Sequence, residues 1–253
     1  MFVNNLSPVL AKLGPLEIRY YGLMYVLGFL FIYLMLRYLS REKKLELSKD
    51  EITDLMSYLI IGVIVFARLF YVLFYNLSYY LSEPFEIIAV WEGGLSFHGG
   101  LIGAVIVGLW YCRKKNLEFY DLADFFVIPL GIALFLGRIG NFINGELYGR
   151  ITTLPWGVKF NGVEGYRHPS QLYEAGKNLI LFFTQWTLHE RQLPKGFRFW
   201  LFVVMYSSMR FVIEFFREPD IQIGFVYGLT LGQWISLVMF VIGLIFFVKV
   251  NRK

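Results

Sequence analysis

Residues 55–75 read LMSYLIIGVIVFARLFYVLFY, with one charge, Arg68, in the whole stretch. A helix needs about 20 apolar residues to cross the hydrocarbon core of a bilayer. It also satisfies its own backbone hydrogen bonds there, which an open strand cannot do. Working outward from this run, six more apolar segments follow the same pattern, at 20–39, 95–112, 119–142, 172–188, 197–216 and 227–248. The segment at 95–112 is short and glycine-rich, and the one at 172–188 carries Glu174, Lys177 and Gln185. The chain therefore reads as an all-α integral membrane protein of about seven transmembrane helices. It forms a single transmembrane domain over 1–253, with a small outer-side loop region at about 144–170.

Composition agrees. Hydrophobic residues make up 57% of the 253 positions and charged residues 17%, against roughly 25% charged in soluble domains. The net charge of +5 does not indicate a nucleic-acid partner, because the basic residues lie in short clusters between apolar runs. The single cysteine, Cys112, excludes an internal disulfide. Residues 1–14 lack a basic segment followed by an apolar one, so no cleavable signal peptide is expected and the first span is retained.

Lysine and arginine counts orient the spans. Arg37, Arg41, Lys43, Lys44 and Lys49 follow the first run, and Arg113, Lys114 and Lys115 the third. Arg191, Lys195 and Arg198 follow the fifth, and Lys249, Arg252 and Lys253 close the chain. With seven spans all of these share one side, the cytoplasmic one. The opposite side has only Lys12, Arg19, Arg150, Lys159, Arg167 and Arg217. The N-terminus is then outside and the C-terminus cytoplasmic, with Trp91, Trp156, Tyr20 and Tyr21 in an outer interfacial belt.

Four basic residues remain inside the apolar runs: Arg68, Arg138, Lys177 and Arg210. An arginine at mid-helix costs roughly 2.5–3.5 kcal/mol on the insertion scale. Snorkelling accounts for Arg68, near the outer end of its run, and for Lys177, which reaches the outer interface. Arg210 is different. Tyr206, Arg210, Glu214 and Arg217 are spaced four, four and three residues apart, which places them on one helical face leading to Arg217-Glu218-Pro219-Asp220. A structural ion-pair ladder explains the same spacing; the excess of positive charge and a second arginine favour a functional site.

That second arginine, Arg138, lies in the run GRIGNFINGELYG at 137–149, with Asn141, Asn144, Glu146 and Gly149. Glycines permit unwinding and close approach to a ligand. Irregular polar backbone at this depth is tolerated where it is buried or lines a cavity. The run EGGLSFHGGLIG at 92–103 puts His98 near a helix N-terminus, where the positive dipole end favours a neutral imidazole able to accept a proton. Free amides there also suit a phosphate, although a lone histidine is as often structural. RHPSQLYE at 167–174 reads as a helix start, with Glu174 as a capping partner. Every unusual polar cluster falls in the outer half, so the polar cavity is expected to face the outer leaflet.

Paired guanidinium groups suit an anionic lipid headgroup, because their forks match phosphate oxygens. If a glycerol C–O bond of a phosphodiester lipid breaks, the leaving phosphate gains charge that arginines in low dielectric stabilise. A thiol needs only modest activation to attack.

The motifs YGLMY at 21–25, HGGLIG at 98–103, the 137–149 run, HPSQLYE at 168–174 and Arg210…Glu214-Phe-Phe-Arg217-Glu-Pro-Asp220 resemble those of the prolipoprotein diacylglyceryl transferases, in the family's order. The resemblance implies transfer of diacylglyceryl from phosphatidylglycerol to the lipobox cysteine thiol beside a prolipoprotein signal peptide. A thioether forms and glycerol phosphate leaves. It implies no metal and no organic cofactor, membrane lipids as surroundings, and the bacterial cytoplasmic (inner) membrane as location. Arg138 and Arg210 are then the essential pair at the phosphate, with His98 as the further catalytic candidate. Tyr21, Asn141, Glu146 and Gly149 hold substrate, and Tyr206, Glu214 and Arg217 support them. Three other readings compete: a transporter, which needs polar residues in both membrane halves; a transferase with a sugar or polyol acceptor; and a lipid receptor that needs the arginines but not His98.

Overall fold

The structure, a computed structural model, describes residues 2–14, 16–42, 44–219 and 224–252. The expectations placed on Lys43, Asp220 and Lys253 lie outside the described residues. Among the described residues eight α-helices follow one another: α1 (Tyr20–Arg41), α2 (Lys49–Tyr75), the short α3 (Leu77–Ser82), α4 (Phe97–Lys115), α5 (Phe119–Asn144), α6 (Ser170–Leu188), α7 (Phe197–Ile213) and α8 (Leu231–Asn251). Each of the seven apolar runs holds a long helix, the last starting at Leu231 because the residues before it form a hairpin. Five of them are long and apolar enough to cross a membrane: α1, α2, α5, α8, and α7 with the 3-10 turn Glu214–Phe216 that extends it. α4 and α6 fall outside that group. α4 ends in Arg113, Lys114 and Lys115, and α6 carries six buried polar or charged side chains: Ser170, Gln171, Glu174, Lys177, Asn178 and Gln185.

Short strands add what hydropathy does not signal. β1 (Phe2–Asn4) pairs in parallel with β4 (Val158–Phe160), with Phe2 opposite Val158. β2 (Val9–Leu13) and β3 (Leu16–Arg19) form an antiparallel hairpin, as do β5 (Phe225–Val226) and β6 (Leu229–Thr230). Asn4 donates from Nδ2 to the Phe142 carbonyl at 2.7 Å, tying the N-terminal strand to the end of α5.

Burial is inverted relative to a soluble protein. Phe74, Val26 and Ile245 are 68%, 63% and 58% exposed, whereas Gln171, Glu174, Lys177, Asn178 and Gln185 are all at 3% or less. Apolar side chains on the outside and amides and charges inside are what a lipid solvent selects.

The described residues fall into two compact units. One is Leu36–Leu122; the other comprises 1–35 and 123–253. In the first, α2 begins with a capping box: the Ser48 hydroxyl accepts from the Glu51 amide, and the Glu51 carboxylate accepts from the Ser48 amide. α2 packs on α4 through glycines. A Cβ on Gly103 would sit 2.7 Å from the Gly62 carbonyl oxygen, and one on Gly99 would collide with the Phe66 carbonyl. The glycine-rich character of 95–112 is thus a packing seam of close backbones.

In the second unit Val127, Leu181 and Phe202 form an apolar core joining α5, α6 and α7. Beyond that core, the turn from α6 to α7 is closed by polar groups. The Asp124 carboxylate accepts from the amides of Gly196 at 2.6 Å and Phe199 at 2.8 Å, supplying from α5 the cap that α7 lacks in its own sequence. Arg198 donates to the carbonyls of Leu188 and Arg191, and Gln185 Nε2 to the Arg198 carbonyl. These buried groups correct the expectation that unusual polar residues are confined to one half. They bond to one another and to backbone, and Leu181, fully buried, separates them from the charges higher on α6.

Candidate functional site

The site is built around a residue that the sequence reading treated as a helix cap. Glu174 caps nothing: α6 starts from Pro169 without a side-chain cap. Its carboxylate, 2% exposed, instead receives three cations. Arg210 Nη1 reaches Oε1 at 2.7 Å, Lys177 Nζ reaches Oε2 at 2.7 Å, and Arg138 Nε lies 3.7 Å from Oε2. Arg210 uses its second nitrogen, Nη2, on Glu214 Oε2 at 2.6 Å. The other Glu214 oxygen accepts from the Thr230 hydroxyl at 3.1 Å. α8 comes close here because Gly232 has no side chain; a Cβ would stand 2.5 Å from Glu214 Oε1.

A second arm runs along the 137–149 run. Arg138 Nη1 donates to Asn141 Oδ1 at 3.5 Å, and Asn141 Nδ2 donates to Glu146 Oε1 at 2.8 Å. Asn144 Nδ2 also reaches that Glu146 oxygen, at 3.4 Å. The Glu146 carbonyl accepts from Gln171 Nε2 at 2.7 Å, which locks the end of α5 to the start of α6. Tyr206 supports the cluster from below, its ring 3.8 Å from Lys177 Nζ.

The structure therefore brings together Arg138, Asn141, Glu146, Tyr206, Arg210 and Glu214. Tyr21 sits on α1 beside α5, where a Cβ on Gly140 would meet its ring at 2.9 Å, and its hydroxyl lies 3.0 Å from that of Tyr25. Gly149 has a backbone role. Its amide donates to the His168 carbonyl at 2.8 Å, and any side chain would collide with the Phe216 carbonyl. Arg217 does not continue the helical face. α7 stops at Ile213, a 3-10 turn follows, and Arg217 is extended and bridged to Gly149. The helical face is thus shortened to Tyr206, Arg210 and Glu214, and the ion-pair ladder to Arg210–Glu214. His98 lies in the other unit, in the exposed first turn of α4, where Ser96 caps the helix through the Gly99 amide.

Two snorkelling assignments are also corrected. Lys177 is 3% exposed and paired with Glu174. Arg68 is 5% exposed and donates to four carbonyls, those of Ile87 (2.9 Å), Gly93 (2.7 Å), Gly94 (3.3 Å) and Glu86 (2.5 Å), with Tyr80 against its guanidinium. Sequence reasoning missed Glu174 and Lys177 as site members. Opposite charges one helical turn apart inside an apolar run are the signal that could have found them.

The electrostatics follow from a count. Three cations (Arg138, Lys177, Arg210) meet three carboxylates, Glu174 and Glu214 in direct ion pairs and Glu146 through Asn141, so the cluster is balanced in charge, with all three cations gathered on Glu174. Arg138 is the loosest member: among the described residues its polar contacts lie at 3.5 and 3.7 Å, at or beyond ordinary hydrogen-bond length. A guanidinium has five N–H donors, so this one keeps capacity for an anion. No group of three His, Cys, Asp or Glu side chains suited to a metal ion occurs among the described residues.

The fold and the cluster together define a polytopic helical membrane protein with a buried cluster of paired charges among its apolar helices. A sequence model of the prolipoprotein diacylglyceryl transferase family matches residues 8–249, and the chain belongs to that family. It is 48% identical over 252 residues to the phosphatidylglycerol–prolipoprotein diacylglyceryl transferase of Geobacter sulfurreducens, covering 98% of this chain and 97% of the relative. The corresponding enzyme of Bordetella avium is 47% identical over 98% of this chain and 96% of its own length. That of Nitratidesulfovibrio vulgaris (strain DP4) is 45% identical over 95% and 93%.

Proposed function

We propose that this transferase moves the diacylglyceryl group of phosphatidylglycerol onto the lipobox cysteine thiol of a prolipoprotein, the first step of lipoprotein maturation. The observation that carries the reading is the gathering of three cations, Arg138, Lys177 and Arg210, around buried Glu174, in a chain of this family. The cysteine sulfur attacks the glycerol carbon esterified to phosphate. A C–S bond forms, the C–O bond breaks, and its electron pair leaves on the phosphate oxygen of glycerol phosphate. The phosphodiester carries one negative charge and the leaving monoester approaches two. Arg138 and Arg210 bind the phosphate and stabilise that added charge in surroundings where water competes little.

Asn141 and Glu146 hold the Arg138 end in place, and Glu174 and Glu214 orient Arg210 through its two terminal nitrogens. Tyr21 and Gly149 shape the approach, and His98 is the candidate acceptor of the thiol proton. The charge counts orient the protein in the bacterial inner membrane with its N-terminus outside. They make seven spans, α4 and α6 included, with the cluster opening toward the outer leaflet.

The test is incubation of purified protein in detergent with phosphatidylglycerol and a lipobox peptide, following glycerol phosphate release and thioether formation. Product that requires the peptide thiol, absent with a Cys→Ser peptide, supports the reading. Lipid binding without product sends it to the lipid-receptor alternative.

A further inference from the structure

We propose that Lys177 is a positioning residue for the transfer: it occupies the Glu174 oxygen that Arg138 would otherwise take, and so keeps Arg138 available to the substrate phosphate. This rests on the reading of Arg138 and Arg210 as the phosphate-binding pair.

The geometry is specific. Glu174 Oε1 is held by Arg210 at 2.7 Å, and Oε2 by Lys177 at 2.7 Å, while Arg138 stands off the same Oε2 at 3.7 Å. Lys177 is one turn along α6 from Glu174, 3% exposed, and its ammonium lies 3.8 Å from the centre of the Tyr206 ring. A lysine so largely buried, with a short contact to the carboxylate and an aromatic face beneath it, is held on Glu174.

Removal of the lysine changes two things. Glu174 Oε2 loses its short partner, and the nearest remaining cation is Arg138, one ångström farther off and only loosely held by Asn141. The guanidinium is drawn onto the carboxylate, and its donors leave the anion. The count also falls from three cations against three carboxylates (Glu146, Glu174, Glu214) to two against three, which leaves the cluster net negative. A net-negative cluster binds a phosphate less well and stabilises its developing charge less, so both product affinity and turnover suffer.

Charge arithmetic supplies the test. Lys177→Met gives two cations against three carboxylates. Adding Glu174→Gln gives two against two, restoring the balance of the wild type and removing the group that captures Arg138. Full-length purified protein is assayed in detergent for kcat on phosphatidylglycerol with a lipobox peptide, and for inhibition by glycerol phosphate. An inhibition constant does not depend on how much of the protein is folded, so a merely structural role would not move it.

We expect Lys177→Met to lower kcat about 100-fold and to weaken inhibition by glycerol phosphate roughly tenfold. In the double variant both should return toward wild type, above either single variant. Wild-type kcat and inhibition in Lys177→Met, or a double variant no better than Lys177→Met, overturns the proposal. Arg210→Lys run alongside separates the two levels. Loss of activity in Arg210→Lys with none in Lys177→Met sinks this inference alone, whereas full activity in Arg210→Lys sinks the site reading beneath it.

Discussion

Arg68 and Arg138 are the same residue type placed in apolar helices, each with its guanidinium largely hidden, yet they are used in opposite ways. Arg68 has four of its five N–H donors engaged: its nitrogens donate to four carbonyls in the segment 84–94, which contains two 3-10 turns, Pro84–Ile88 and Val90–Glu92. It stands in for the backbone partners that a non-helical segment cannot supply itself. Arg138 has two long contacts. An arginine with four of its five donors on backbone carbonyls holds structure; Arg138, held by long contacts alone, is proposed to serve the substrate.

Arg210→Lys should break the second half of this comparison most severely. Lysine cannot bridge Glu174 and Glu214 as the two guanidinium nitrogens do. Turnover should drop by about 10²–10³-fold in the glycerol phosphate assay, with the thermal transition little changed. Arg68→Gln should break the first half. It strands several carbonyls and should cost about 3 kcal/mol of stability, read as a lower midpoint in a thermal melt, with turnover per folded molecule retained.

Smaller effects sharpen the contrast between structural and functional polar groups. Asp124→Ala removes the cap on α7 and should cost about 1–2 kcal/mol of stability without altering turnover. Cys112→Ser, buried at the end of α4, should leave activity intact at a cost near 1 kcal/mol. The smallest effect concerns His168, in the loop before α6. Burial lowers its pKa below the ordinary value of 6.5. The fold therefore favours the neutral ring; that contribution is present above about 6.5 and is lost as pH falls through the lowered folded value. A melt series across pH 5–8 should show this slope in wild type and a flatter one in His168→Asn.

Much of this contrast was legible in the sequence, and the rest was hidden for identifiable reasons. The apolar runs located all the long helices, because lipid-facing residues such as Val26 and Phe74 carry no information except hydropathy. The polar residues of 137–149 and the Arg210–Glu214 spacing pointed to the cluster because charges in apolar helices demand an explanation. Glu174 and Lys177 were misassigned because a carboxylate near a helix start and a lysine near an apolar boundary each have a common local use. Their partners, Arg138 and Arg210, lie 36 and 33 or more positions away in sequence and meet them only by packing. Arg217 was misplaced because spacing alone does not signal where α7 tightens into a 3-10 turn. Engagement of Arg68 by carbonyls has no side-chain signature.

The most direct test of the contrast is glycerol phosphate release per folded molecule in Arg138→Gln and Arg68→Gln, measured side by side with phosphatidylglycerol and a lipobox peptide. The account predicts a loss of about 100-fold in Arg138→Gln with its melt near wild type, and a lowered melt with near-normal turnover in Arg68→Gln. Normal turnover in Arg138→Gln would contradict it.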